Sequence, residues 1–230
     1  MPQWQSDEEL FALARRELFT AVVGDAMDRI GLQRQFLPPN IRPLSPDMVV
    51  IGRAMTVLEA DVFSSSPEQT SNESMKQPFG LMLHALDDLR PGEVYVCAGG
   101  SPRYALWGEL MSTRAQKLGA HGAVLDGYYR DTKGIVQLDF PTFGYGSYAQ
   151  DQGPRGKVID FRVPIAIGQA EIEPGDILFG DIDGVCVVPR SAEEDVLTAA
   201  LEKVRGEERV RRAILNGMST VDAWNEYGVM

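Results

Sequence analysis

Between Phe79 and Ser147 the chain alternates helix-like and strand-like patterns, and this alternation limits the fold more than any other feature. PFGLMLHALDDL spaces its apolar residues helically; a Pro91-Gly92 turn and the strand-like EVYVCAGG follow. ELMSTRAQKLG repeats the helical pattern and GAVLDG the strand pattern. Thr132 to Leu138 make a further helical turn, and PTFGYGS closes the run. A β-α-β-α-β order requires crossovers, so the strands belong to a parallel or mixed sheet flanked by helices. The expected fold class is α/β.

The flanking segments fit around this unit. Ser6 is positioned to cap a helix from Asp7 to Arg16, with Glu9 at the capping-box position. A second helix, TAVVGDAMDRIG, ends at Gly31, and the Pro-rich LPPNIRPLSP leads into a strand, MVVIGRAMTVLEA. Asp61 to Pro78 is polar and serine-rich and reads as a mobile loop, placed to lie over a site. VPIAIGQAEIEPGDILFGDIDGVCVVP reads as short strands broken at Pro174-Gly175 and Asp183-Gly184. Two polar helices, Ala192 to Leu215 and Ser219 to Tyr227, end the sequence. The division expected is a core over 1–191 and a helical tail over 192–230, packed on the core or on a neighbouring subunit.

Composition mainly excludes. A formal net charge of −11 argues against a nucleic-acid backbone as partner, which clustered Lys and Arg would serve. No segment reaches the roughly 18–20 apolar residues of a spanning helix, and MPQWQSDEELFALARREL lacks a signal peptide's apolar core, so the cytoplasm is the expected location. Cys97 and Cys186 sit in apolar strand-like runs and read as buried free thiols; His84 and His121 read as structural. These four residues do not form a zinc pattern, so a bound metal should have oxygen ligands, which points to magnesium or manganese.

The candidate chemistry lies in GELMSTRAQKLGAHGAVLDGYYRD. Glu109 is followed by twenty residues and then an adjacent Arg130-Asp131 pair, with Asp126 at a strand's C-terminal end, where open α/β sheets place ligands. Gly108 opens a helix whose first amides, on Leu110 and Met111, are free to hold a carboxylate. An arginine fork beside a carboxylate that can hold a hard metal suits a 2-oxo acid and the enolate made from it. Arg-Asp neighbours are also common on solvated turns, so the pair gains meaning only where these groups converge. No serine or cysteine nucleophile and no lysine in an apolar setting offers a covalent route.

These motifs resemble the RraA-like family, which joins regulators of ribonuclease E activity to class II pyruvate aldolases acting on 4-hydroxy-4-methyl-2-oxoglutarate and 4-carboxy-4-hydroxy-2-oxoadipate. The resemblance rests on TAVVGDAMDRIG, LPPNIRPL, RPGEVYV, WGELMSTRAQKLGAHGAVLDGYYRD, PTFGYG and PGDILFGDIDGVCVVP, and the tail KVRGEERVRRAILNGMSTVDAWNEYGVM is similar to that of the aldolase-like members. It implies an α/β/β/α sandwich of the swivelling type. It also implies Arg130 on the substrate carboxylate and 2-oxo group, helped by the Gly108 turn and the Leu110 and Met111 amides. Asp131 would be the direct magnesium or manganese ligand, with Glu109 and Asp126 holding the metal's waters. Glu207 would reach them across a subunit interface, which implies a homotrimer or homohexamer. The family's aldolases carry aspartate where this chain has Glu109.

The activity so implied is cleavage of a small polycarboxylated 2-oxo acid to pyruvate, with oxaloacetate decarboxylation as a side activity. Three alternatives stand beside it: a lyase or decarboxylase on another oxo-sugar acid, a non-enzymatic regulator of a ribonuclease, and a family member without catalysis. The regulators are shorter and tend to lack an acid before Gly127, where this chain has Asp126.

Overall fold

The computed structural model describes residues 3–62 and 70–228. The chain opens with α1 (Asp7–Glu17) and α2 (Thr20–Arg29), followed by β1 (Arg42–Pro43) and the long β2 (Val50–Asp61). Next come α3 (Met82–Asp87), β3 (Glu93–Ala98), β4 (Ala105–Trp107), α4 (Glu109–Lys117), β5 (Gly122–Leu125), β6 (Tyr128–Tyr129), α5 (Thr132–Leu138) and β7 (Thr142–Gly144). The β-rich stretch follows as β8 (Gly156–Phe161), β9 (Ile165–Ile167), β10 (Ala170–Ile172), β11 (Ile177–Asp181) and β12 (Gly184–Val188). Helices α6 (Glu193–Leu215) and α7 (Thr220–Tyr227) complete the described chain. The loop expected over Asp61–Pro78 falls partly on residues 63–69, outside the described residues; its later part holds a short 3-10 turn at Glu73–Lys76.

The main sheet is mixed, in the order β1-β7-β5-β3-β2-β11-β12, with β8 also on β2. β2, β3, β5 and β7 run parallel, as the alternating pattern requires; β1, β8, β11 and β12 pair antiparallel. The sheet curls until β1 meets β11 and β12. Strand periodicity then sorts side chains into three cores. Val50, Ala54, Val94, Val96, Val124, Phe143, Leu178 and Val187 point into the curl, which the β9–β10 hairpin closes with Ile165, Ile167 and Ile172. Ile51, Ile177, Phe179 and Val188 point outward onto α1, α2 and α6. Met55, Val57, Tyr95, Cys97, Ala123 and Leu125 point outward under α3, α4 and α5. The result is the expected α/β/β/α sandwich.

Local signals behave as their chemistry dictates. Ser6 Oγ accepts the Glu9 N–H at 3.2 Å, and the Glu9 carboxylate accepts the Gln5 N–H at 2.7 Å. Both cysteines are free and buried, and burial pushes the thiols up. His121 is structural: its Nδ1 bonds the Ile51 carbonyl at 2.8 Å and its ring meets Phe11 edge-on. Among the described residues no helix is long and apolar enough to cross a membrane.

Candidate active site

The site forms where a small second sheet gathers three chain segments. β4 and β6 pair in parallel, Ala105 with Tyr128 and Trp107 with Tyr129, and the Arg130 N–H donates to the Trp107 carbonyl at 2.9 Å. The segment after β7 joins them: Tyr129 N–H donates to Gly146, Tyr148 N–H to Tyr129, and Ala105 N–H to Gln150. β4 thus ends at Gly108, β6 at Arg130-Asp131, and the third segment delivers Asp151 and Gln152 to the same place.

Trp107 fixes the start of α4. Its buried ring stacks on Phe140 and tilts against Tyr95, and its Nε1–H donates to Ser112 Oγ at 2.7 Å. Gly108 is the N-cap and offers no side chain to the helix amides, so the first N–H groups of α4 face outward as an anion would need. The glycine is also needed for space, because a Cβ there would stand 2.7 Å from Asp131 Oδ2.

Asp131 is the N-cap of α5 in the left-handed region, φ 56°, a conformation that few non-glycine residues adopt and that Asp tolerates better than most. Although placed to cap the helix, its side chain makes no capping hydrogen bond. The carboxylate instead points back over Gly108, 3.7 Å from Arg130 Nε. Arg130 Nη1 pairs at 2.8 Å with Asp151 Oδ1. Arg130, Asp131, Gly108, Leu110 and Met111 border one cavity of about 500 Å³.

The other expected acids stand apart from its lining. Glu109 opens α4, and its carboxylate lies over Gly134 of α5. Asp126 accepts the Tyr145 hydroxyl at 2.6 Å; burial, with this contact second, pushes that phenol up to about 12. Glu207 is on α6, where Lys203 Nζ stands 3.3 Å from its Oε1. Bonded to Gln152, which borders the cavity, is a group that sequence reasoning missed. Glu59 on β2 is 2% exposed and accepts Gln152 Nε2 on both oxygens, at 2.9 and 3.0 Å. Burial, reinforced by Asp61, raises its carboxyl to about 8 against the opposing hydrogen bonds.

Among the described residues no three His, Cys, Asp or Glu side chains cluster to enclose a metal. The donors present suit a hard, largely hydrated divalent cation, which asks for one or two carboxylates and keeps several waters. Asp131, half-exposed and unused by the backbone, is that kind of donor.

The arginine-carboxylate pair bordering a cavity on a curled α/β sandwich is the candidate site of an α/β protein. The chain belongs to the RraA-like family: the family model for Aldolase/RraA matches residues 20–187. A Halalkalibacterium halodurans protein named "Putative 4-hydroxy-4-methyl-2-oxoglutarate aldolase" is 33% identical over 92% of this chain and 91% of its own length. A crystal structure of an uncharacterized protein from Pseudomonas syringae superposes with TM-score 0.76 at 28% identity, covering 90% of this chain and 93% of that one. Streptomyces coelicolor RraAS2, described as an unusual member of the RNase ES inhibitor RraA protein family, shares the fold at TM-score 0.77 and 24% identity, covering 90% and 99%.

Proposed function

We propose that this protein is a divalent-metal-dependent carbon–carbon lyase of the cytoplasm. It would cleave a small polycarboxylated 2-oxo acid of the 4-hydroxy-4-methyl-2-oxoglutarate kind to pyruvate and decarboxylate oxaloacetate as a side activity. The observation that carries the reading is the meeting of Arg130, Asp131 and the free α4 amides at one cavity. The substrates implied by the family resemblance and by the named relative have a 2-oxo carboxylate head in common, and the reading commits to that head.

In retro-aldol cleavage the C4 hydroxyl loses its proton, the C3–C4 bond breaks, and its electron pair passes into an enolate spread over C3, C2 and the 2-oxo oxygen. Pyruvate forms when C3 takes a proton. Arg130 would grip the head with its planar fork and share the growing enolate charge. The α4 amides would hold the carboxylate's other edge. Asp131 would hold magnesium or manganese, which supplies Lewis-acid polarisation of the 2-oxo oxygen when bound. Glu109, Asp126 and a neighbouring subunit's Glu207, in a trimer or hexamer, are assigned to ordering water, one molecule of which takes the hydroxyl proton. Asp126 would act with one oxygen held by Tyr145. Decarboxylation needs the same enolate and no such base.

The test is pyruvate release from oxaloacetate. Turnover should vanish with a chelator and return with magnesium or manganese; undiminished turnover after exhaustive chelation refutes the reading. No turnover under any metal would favour a regulator without catalysis.

A further inference from the structure

We infer that Arg114, on α4 beside the Arg130 cavity, receives the second carboxylate of the substrate and so selects a 2-oxo acid with a carboxylate at each end over one with a plain alkyl end. The inference rests on the head-group reading above and adds to it the residue that recognises the far end.

The register of α4 carries it. Leu110, Met111 and Arg114 all border the cavity of about 500 Å³. In a helix that starts at Glu109, residues three and four apart share one face. Arg114 lies about 6 Å along the axis beyond Leu110, and a helical side chain leans back toward the helix N-terminus. Its guanidinium is thus carried toward the end of α4 where Gly108, Arg130 and Asp131 meet, within the span of an extended diacid.

The donors are free. Asp87 on α3 accepts Arg114 Nε at 2.7 Å, and among the described residues neither Nη group has a partner. An arginine anchored at Nε turns its two Nη groups end-on, the edge that takes a carboxylate with two parallel bonds. The Arg114 side chain is 45% exposed, open to a ligand entering the cavity. Asp87 offsets part of the charge and fixes the fork. Other recognition of a second carboxylate is scarce in the lining. Arg130 is shared with Asp151 at 2.8 Å and has the head to hold. Gln152 is engaged by Glu59. No lysine or histidine is among the described residues that border the cavity. Phe79, Met82, Leu83, Leu86 and Leu106 offer a carboxylate no side-chain donor.

Calorimetric titration of the full-length protein in magnesium tests this with two acids of equal chain length, 2-oxoglutarate and 2-oxopentanoate, and oxaloacetate decarboxylation is measured in parallel. Wild type should bind 2-oxoglutarate about tenfold tighter or more, the gain of one charge-assisted pair. Arg114→Met keeps the bulk of the side chain and should abolish the preference through loss of 2-oxoglutarate affinity. Arg114→Lys should keep part of it, and Arg114→Glu should reverse it. Binding of 2-oxopentanoate in each variant reports that the head site is intact. The inference is overturned if wild type does not prefer 2-oxoglutarate, if neither acid binds, or if Arg114→Met or Arg114→Glu retains the preference. Oxaloacetate turnover by wild type separates the two failures: where it persists, the head-group reading survives, and where it is absent both fall.

Discussion

Glu109 and Gly134 form a matched pair. The longer acid fits because residue 134 has no side chain: a Cβ there would lie 2.6, 2.7 and 2.9 Å from Glu109 Cγ, Cδ and Oε2. Gly134→Ala should therefore separate stability from activity. Helix α5 should gain up to about 1 kcal/mol from losing a glycine. Turnover should fall by roughly tenfold to a hundredfold as the carboxylate is displaced by about an ångström. Thermal unfolding and oxaloacetate kinetics on one preparation decide it, and Glu109→Asp in that background should restore part of the rate. Two other substitutions divide the head-binding roles. Arg130→Lys keeps the charge but loses the planar fork, and should lower kcat/KM by about tenfold or more. Asp131→Asn tolerates the left-handed backbone yet should abolish manganese binding by calorimetry. Full manganese affinity in that variant would remove Asp131 as ligand.

At the scale of elements, Glu59 ties β2 to the segment before β8. Its carboxyl is raised to about 8 in the fold, against the usual carboxylate range when unfolded. A raised acid contributes stability that is fully present below its unfolded value and is lost as pH rises to the folded one. Wild type should thus lose stability, on the order of a few kcal/mol, between about pH 4.5 and 8 relative to Glu59→Gln. Denaturant titrations across that window check it; parallel curves would mean that Glu59 is ionised in the fold. The same cluster shows where sequence reading stopped. The long periodic elements were legible, down to Thr132–Leu138 for α5. β4 and β6, with three and two residues, carry too little pattern to register, and β8 went unread between turns. The spacing of Glu109, Arg130 and Asp131 flagged the segment that borders the cavity, because close sequence neighbours carry it. Asp151 and Gln152 sit in SYAQDQGPRG, which reads as loop, and Gln152's partner Glu59 lies 93 residues away.

For the whole molecule, the open question is what the tail covers. The first half of α6 belongs to the core, since Val196, Leu197, Ala200 and Leu201 pack with α1 and α2. Arg53 reinforces the arrangement by pairing with both Asp7 on α1 and Glu193 on α6. The distal half pairs with α7 and leaves Leu215, Val221 and Trp224 exposed. Glu207 stands at the junction, beside a depression formed with Val210, Arg211, Ile214 and Leu215. Within one chain it does not border the Arg130 cavity, so its assigned role requires a second subunit. A head-to-tail contact repeated by rotation closes into a ring. Removing residues 207–230 should spare the fold by circular dichroism, yield a monomer by sedimentation where the full chain forms the proposed ring, and lower oxaloacetate turnover. Removing residues 193–230 should unfold the protein, because it strips the α1–α2 core. Glu207→Gln should keep the ring and lose turnover by about tenfold or more, the size expected when a group that orders a proton-transferring water is removed. A fully active monomer after the shorter deletion would show that the site is complete within one chain and that Glu207 has no part in it.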